Sequence, residues 1–233
     1  MATGNNLLTI AVPHVGEQYI LGSFAPKNNA NWRGPWDCAE FVSWCVFQAG
    51  GMLYGCEVNT APPASRGADA YTGYWKRDAG ALGRTISVAE AARTPGAALL
   101  RFPSAANGHI ALSDGNGGTI EAVSRVQGVR RKLVANRRWD IGVLVPGITY
   151  TSNGGAIPTD PPTVFRLTSP FMRGDKVREI QEALKAKGID PGPIDGIFGP
   201  KTDAAVLGFQ LREGLVPDGE VGPETAEGLG VQL

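Results

Sequence analysis

The stretch Asp37–Gly50, DCAEFVSWCVFQAG, decides the fold of the first half of the chain. Aspartate is a favourable helix N-cap and glycine is a common helix stop, so the stretch predicts a helix over 37–49. Its apolar residues recur at helical spacing from Cys38 to Ala49 and form one stripe. We therefore expect one face of this helix to pack on a core, with Cys38 in its first turn.

Five short strand-like runs come later in the same half, and proline, glycine or asparagine separates them. They are 97–103, 108–113, 118–124, 128–134 and 140–145. A helix followed by consecutive strands is typical of an α+β domain with an antiparallel sheet.

An internal repeat organises the C-terminal part. Asp195–Thr202, DGIFGPKT, recurs 23 residues later as Asp218–Thr225, DGEVGPET. Each copy has Asp-Gly for a tight turn and then Gly-Pro to open a helix, because proline suits the first helical position. Another helix is expected between Val177 and Gly188, so the pattern predicts a small all-α domain of three short helices.

Composition supports two domains. Residues 147–163 are rich in Gly, Pro, Ser and Thr, which is typical of a linker, and so we predict domains at 1–146 and 164–233. Residues 1–150 hold 14 Lys and Arg against 10 Asp and Glu, while residues 151–233 hold 8 against 12. Neither half is basic enough to indicate a nucleic-acid partner, and we interpret the basic run Arg130–Lys132 as a solvated sheet face.

The remaining composition excludes several classes. Three cysteines are an odd number, which does not indicate a disulfide framework. No apolar run approaches the length of a membrane span, so no membrane insertion is expected. The first residues lack a basic segment followed by an apolar core. We therefore expect synthesis in the cytoplasm and action elsewhere after release or delivery.

Cys38 is the candidate nucleophile. A helix N-terminus offers unpaired N–H groups and a partial positive charge, and both favour the thiolate. We interpret Cys45 and Cys56 as structural, since free cysteines are usually buried.

A nucleophilic cysteine needs a base, and His14 and His109 are the two histidines. His109 begins a predicted strand that turns back after Asp114. If the hairpin centres on Gly115, residue i pairs with residue 230 − i, and His109 faces Glu121 on the same side of the sheet. The glutamate can then orient the imidazole, as the third member of a triad does.

Together these segments resemble the NlpC-type peptidases of bacterial cell walls, which are papain-like. The matching segments are Tyr19–Gly22, Trp36–Val42, Thr94–Phe102, Gly108–Leu112 and Thr119–Ala122. Two positions depart from the family pattern. Ala39-Glu40 stands where the family often has Ser-Gly, and Glu121 stands where it often has His, Asn or Gln.

The resemblance implies a papain-like fold and roles for individual residues. Cys38 would be the nucleophile, His109 the base and Glu121 the orienting residue. The Cys38 backbone N–H and the Tyr19 hydroxyl would stabilise the oxyanion, with Asp37 at the substrate side. The bond cleaved would lie between D-glutamate and the following diamino acid, without a metal or other cofactor.

The region 166–232 resembles the three-helix peptidoglycan-binding domain of many wall hydrolases, which makes bacterial peptidoglycan the expected partner. The resemblance rests on the two repeat copies and on apolar positions between and after them. Turn and core structure accounts for most of the matching residues. The candidate wall-binding residues are Asp195, Phe198, Gln210 and Asp218.

The sequence therefore predicts a monomeric peptidoglycan hydrolase with a Cys-His-Glu thiol mechanism, and we favour a phage endolysin. Three alternatives remain open. The first domain could be a CHAP-like amidase or endopeptidase, since that group uses Cys, His and an acidic residue. The protein could also be an antibacterial effector injected into a rival cell, or a non-catalytic wall-binding protein.

Overall fold

The computed structural model describes residues 1–102, 108–154 and 163–233 and separates into two compact units. Residues 1–135 and 139–154 lie in the first unit, and residues 163–233 lie in the second. The predicted domain order is thus retained, with an α+β unit before an all-α unit.

The first unit contains four helices and eight strands within its described residues. The helices are α1 (Gly4–Ala11), α2 (Cys38–Gly50), α3 (Thr72–Ala81) and α4 (Val88–Ala92). The strands are β1 (Ala2–Thr3), β2 (Arg84–Ile86), β3 (Ala98–Arg101), β4 (His109–Ser113), β5 (Gly118–Ser124), β6 (Gly128–Leu133), β7 (Ile141–Leu144) and β8 (Ile148–Thr149).

Six of these strands form one antiparallel sheet in the order β2-β7-β3-β4-β5-β6. The five predicted strands are all present, although the predicted end of the first run at 103 lies outside the described residues. The basic run lies on the edge strand β6, where Arg130 and Arg131 are exposed.

Helix α2 packs against one face of the sheet, where its side chains share a core with Leu100, Ile110 and Ile120. Its N-cap is Asp37 and it ends at Gly51 in the left-handed conformation, one residue beyond the predicted stop. The sequence predicts one buried stripe on this helix, but every residue from Cys38 to Val46 is buried. The aromatic ring of Trp36 and the imidazole of the buried His14 cover the outer side of the helix.

The β4–β5 hairpin differs from the predicted register by two residues. Leu112 pairs with Ile120, so residue i lies opposite residue 232 − i. The carboxylate of Asp114 accepts hydrogen bonds from the N–H groups of Asn116 at 2.7 Å and Gly118 at 2.9 Å. This side-chain cap builds a longer turn than one centred on glycine, so the predicted register is wrong. A shift of two preserves the face of every side chain.

The predicted linker begins too early. Strand β8 pairs in parallel with β1, and the hydroxyl of Tyr150 accepts a 3.1 Å bond from the N–H of Val145. Asn153 donates from its backbone N–H to the carbonyl of Arg93 at 2.7 Å. Residues 147–154 therefore belong to the first unit. Residues 155–162 of the predicted linker lie outside the described part of the chain.

The second unit has the predicted three helices, α5 (Asp175–Ala186), α6 (Pro200–Glu213) and α7 (Pro223–Leu229). Pro200 and Pro223 open their helices, as the repeat predicts. The inward faces meet in a separate core that includes Val177, Val206 and Phe209. Within residues 1–102, 108–154 and 163–233, no helix has both the length and the apolar character needed to cross a membrane.

Candidate active site

The start of α2 carries Asp37 and Cys38 side by side. Asp37 caps the helix, since its Oδ1 accepts a 3.0 Å hydrogen bond from the backbone N–H of Ala39. Its Oδ2 accepts a second 3.0 Å bond from the N–H of Gly22, which ties the preceding segment to the helix start. Burial raises the pKa of the Asp37 carboxyl, and the two N–H groups work against that rise.

Tyr19 lies beside this helix start. A 2.9 Å bond from the N–H of Ile20 to the carbonyl of Trp36 aligns the two segments. Burial raises the pKa of the Tyr19 hydroxyl, and the charges of Cys38 and Asp37 raise it further. The hydroxyl therefore stays protonated and can donate a hydrogen bond near the thiol.

Cys38 is only 6% exposed, and desolvation by burial raises the pKa of its thiol well above the ordinary value. The Asp37 charge adds to the rise, while the backbone N–H groups of Ile110 and Ala39 favour the thiolate. The helix N-terminus thus favours the thiolate through the Ala39 N–H, as the sequence predicts, but burial outweighs this effect. Thiolate formation at Cys38 requires a proton acceptor beside the sulfur.

His109 and Glu121 form a buried pair on neighbouring strands. The His109 Nε2 lies 2.5 Å from the Glu121 Oε2. The other carboxylate oxygen accepts a hydrogen bond from the hydroxyl of Thr119. Under the observed register Ala111 lies opposite Glu121, so the histidine and the glutamate meet diagonally across the ladder. The pairing drawn from the sequence holds although its register does not.

The helix start and the histidine strand meet at one place. The Cys38 sulfur interacts with the backbone N–H of Ile110, the residue that follows His109. The charge of His109 in turn stabilises the Asp37 carboxylate. The His109 ring also lies against the indole of Trp139, with centroids 5.9 Å apart. Sequence reasoning did not identify Trp139, because nothing in the strand pattern links it to the histidine.

Glu40 is a second feature that sequence reasoning did not assign. Its side chain is buried and forms a 2.5 Å ion pair with the buried Lys27. Burial raises the pKa of the Glu40 carboxyl to about 7, although the charge of Lys27 lowers it. The substitution of Ala39-Glu40 for Ser-Gly therefore places a buried charge pair two residues after Cys38.

The other histidine and the other cysteines lie in the core. His14 Nδ1 lies 2.8 Å from the Glu17 Oε2, which also accepts a bond from the indole of Trp36. Cys45 and Cys56 are fully buried, in agreement with their structural interpretation.

Two of the four candidate wall-binding side chains are buried inside the second unit. Phe198 lies in its core. The Gln210 amide donates to Asp218 Oδ1 at 2.7 Å, and its oxygen accepts from the N–H of Gly219 at 2.9 Å. Neither buried side chain can contact a polymer, so their assignment as wall-binding residues is wrong.

The two aspartates are turn residues at matching positions of the repeat. Asp195 is exposed, and its Oδ1 accepts bonds from the Ile197 N–H at 2.9 Å and the Gln181 amide at 3.1 Å. These two bonds hold the pKa of the Asp195 carboxyl below its usual range. Gln181 therefore organises the first turn as Gln210 organises the second.

Among the residues that the structure describes, no group of three or more His, Cys, Asp or Glu side chains is arranged to hold a metal ion. The chemistry that the described site offers is that of a thiol, an imidazole and a carboxylate. Such a set can perform nucleophilic acyl transfer.

The second unit belongs to a known class of domain. Residues 173–229 match the family described as "Putative peptidoglycan binding domain". The chain is therefore a two-unit protein that joins this domain to an α+β unit with a buried Cys-His-Glu cluster.

The chain is similar to an uncharacterized protein and to a wall amidase. The chain is 38% identical over 92 residues to an uncharacterized protein in the bpoA1 3'region of Kitasatospora aureofaciens, covering 36% of this chain and 78% of that protein. The chain belongs to the same family as that protein. It is 46% identical over 71 residues to the N-acetylmuramoyl-L-alanine amidase CwlL of Bacillus licheniformis, covering 28% of this chain. This chain spans only 20% of the amidase's length.

The solved NlpC/p60 domain of the peptidoglycan hydrolase SagA is similar to 61% of this chain and to 99% of its own length. The TM-score is 0.44 and the sequence identity is 21%.

Proposed function

We propose that the protein is a peptidoglycan hydrolase whose first unit is an NlpC-type cysteine peptidase and whose second unit binds the wall. The buried pair of His109 and Glu121 is the observation that supports the catalytic part of this proposal. It lies next to the strand backbone that contacts Cys38. The match of residues 173–229 to a peptidoglycan-binding family supports the wall as the partner.

The proposed reaction is acyl transfer through a thioester. His109 takes the thiol proton and the Cys38 sulfur attacks an amide carbonyl carbon, which gives a tetrahedral oxyanion. The C–N bond breaks when His109 returns the proton to the leaving amine. A water molecule, deprotonated by the same imidazole, then hydrolyses the thioester and restores the thiol.

The surrounding residues would stabilise the charged states of this reaction. The Glu121 carboxylate at 2.5 Å stabilises the imidazolium and fixes the ring, so that Nδ1 exchanges the proton with sulfur. This coupling offsets the burial that raises the pKa of Cys38. The Cys38 backbone N–H at the start of α2 and the protonated Tyr19 hydroxyl would donate to the oxyanion.

The substrate bond is proposed to join D-glutamate to the diamino acid of the stem peptide, as the resemblance to NlpC-type peptidases implies. The amidase relatives point to a second candidate, the amide between N-acetylmuramic acid and L-alanine. The two bonds leave different new amines, because the first frees the diamino acid and the second frees L-alanine.

Mass spectrometry of digested peptidoglycan tests this proposal. Wild-type protein should release fragments with a new amino terminus on the diamino acid, and Cys38→Ala should release none while still sedimenting with purified sacculi. A new terminus on L-alanine would establish the amidase instead. Digestion by Cys38→Ala at the wild-type rate would refute the thiol mechanism. If the wild-type protein releases no fragments but still sediments with sacculi, it is a non-catalytic wall-binding protein.

That the protein is a phage endolysin and acts as a monomer stays a prediction. Cytoplasmic expression should lyse a host only when a membrane lesion is supplied in the same cell. Lysis without a lesion would contradict this route of delivery.

A further inference from the structure

A buried carboxylate near the nucleophile connects three segments of the first unit. Glu40 lies on α2, two residues after Cys38, and pairs with Lys27 at 2.5 Å. Both side chains are buried, with exposed fractions of 1% and 0%. Removing two charges from water is costly, and a buried ion pair is weak evidence for a purely stabilising role.

The carboxylate also binds the backbone of two loops. Its Oε2 accepts a 2.9 Å bond from the N–H of Ala25, and its Oε1 accepts a 2.5 Å bond from the N–H of Ala70. Lys27 donates to the carbonyl of Ala25 at 3.1 Å and accepts at its own carbonyl from Gln48 at 2.5 Å. One side chain thus fixes two loops that are 45 residues apart.

Both loops lead to the candidate active site. The first contains Gly22, which donates to the Asp37 carboxylate. The second continues from Ala70 into Tyr71 and Thr72. A Cβ atom on Gly108 would lie 2.3 Å from the Thr72 hydroxyl oxygen, so this loop also touches the residue before His109.

Tyr71 therefore lies in a segment that is fixed on one side by Glu40 and on the other by the contact with the residue before His109. The N–H of Ala70 donates to Glu40, and Thr72 packs against Gly108. The ring is 44% exposed and meets the ring of Tyr74 edge-to-face, with centroids 5.7 Å apart. An exposed aromatic ring at this place offers a broad face to a substrate.

We propose that Glu40 is a positioning residue that fixes the two loops leading to the candidate active site, and that Tyr71 on the second loop contacts the peptide of the substrate. The inference rests on the proposed hydrolase function and adds to it one substrate contact and one residue that positions that contact. Glutamine at position 40 would keep one acceptor oxygen but would present an NH₂ group to one of the two loop N–H groups. Glu40→Gln should therefore misplace one of the two loops while leaving the Cys38 and His109 side chains in place.

Steady-state kinetics on soluble disaccharide-peptide fragments of peptidoglycan test the proposal. Tyr71→Ala should raise KM about threefold to tenfold with kcat within about twofold, because it removes an aromatic contact and no reacting group. Tyr71→Phe keeps the ring and should restore the wild-type KM. Leu82→Ala, at the other end of α3, is the matched control, since Leu82 is also exposed. An unchanged KM in Tyr71→Ala would overturn the assignment.

A double-mutant cycle tests whether Glu40 acts through Tyr71. Glu40→Gln should lower kcat/KM about threefold to tenfold in the wild-type background, but less than about twofold in the Tyr71→Ala background. Equal losses in both backgrounds would refute the claim that Glu40 acts through Tyr71. Titration of active thiols corrects for misfolded protein, which lowers the active fraction without changing KM.

Two further controls complete the design. If Glu40→Gln does not fold, combining it with Lys27→Met removes the stranded charge, and this pair replaces it in the cycle. Cleavage by wild type and its loss in Cys38→Ala test the proposed function separately. Wild-type protein that cleaves nothing would refute that function and this inference together, whereas cleavage with a Tyr71-independent KM would refute the inference alone.

Discussion

The orienting carboxylate gives the sharpest test of the site, because Glu121→Ala and Glu121→Gln should behave differently. Glu121 is fully buried and accepts hydrogen bonds at both oxygens, from His109 Nε2 at 2.5 Å and from the Thr119 hydroxyl. Alanine removes both acceptors. Glutamine keeps one oxygen for the imidazole, and its NH₂ group can donate to the Thr119 hydroxyl instead.

The size of the effect follows from burial. A buried donor left without an acceptor costs about 1–3 kcal/mol, and a hydrogen bond to a charged group contributes about 1.5–3 kcal/mol. Glu121→Ala also removes the charge that stabilises the imidazolium. We therefore expect it to lower kcat/KM by about 1.4–4 kcal/mol, which corresponds to a factor of about ten to a thousand. Glu121→Gln should lose less and keep measurable activity, whereas His109→Ala should abolish it.

Initial rates of fragment release measure these losses, with folding matched by circular dichroism and active thiols counted by titration. Thr119→Val is the matched control, since it removes the second hydrogen bond of the carboxylate and leaves the first. It should cost less than Glu121→Ala. If Glu121→Ala cleaves at the wild-type rate, the carboxylate does not orient His109 and the triad is wrong.

Two more predictions concern the thiols and the repeat. Iodoacetamide should modify Cys38 faster than Cys45 or Cys56, because only Cys38 keeps some exposure and lies near a base. Since the pKa of the Cys38 thiol is raised, its labelling should become faster as the pH rises. Peptide mass spectrometry measures the labelling, and equal labelling of the three cysteines would contradict this prediction. Gln210→Ala and Gln181→Ala should each lower the free energy of unfolding of the second unit by about 2–5 kcal/mol, since each strands a buried N–H and a buried carbonyl. Thermal denaturation measures the effect, and an unchanged transition would show that the amides are dispensable.

Much of the second unit could be predicted from local signals. Proline at the first helical position and glycine after the last are short-range preferences, so the bounds of its helices follow from neighbouring residues. The roles of Phe198 and Gln210 could not be predicted in this way. Whether a side chain points to the core or to solvent depends on the packing of all three helices.

The candidate active site was predictable in kind but not in detail. The helix that begins at Cys38 is marked by the Asp37 cap and a glycine stop, and the strand that begins at His109 is bounded by Gly108 and by the turn after Asp114. The hairpin register was missed by two residues, because the Asp114 side chain builds the turn and short-range propensity does not reveal that cap. The pairing of His109 with Glu121 survived, since a shift of two residues keeps every side chain on its face.

The sequence by itself determined the order of the elements, the helix start at Cys38, the three-helix repeat and the candidate triad, because each depends on spacings of a few residues. Only the tertiary structure decided the burial of Cys38, the pairing of Lys27 with Glu40 and the attachment of the Tyr71 loop to Glu40. Burial raises the pKa of the thiol, and burial is set by the whole core. Glu40 finds its partners 13, 15 and 30 residues away, and contacts over such distances form only when the chain has folded.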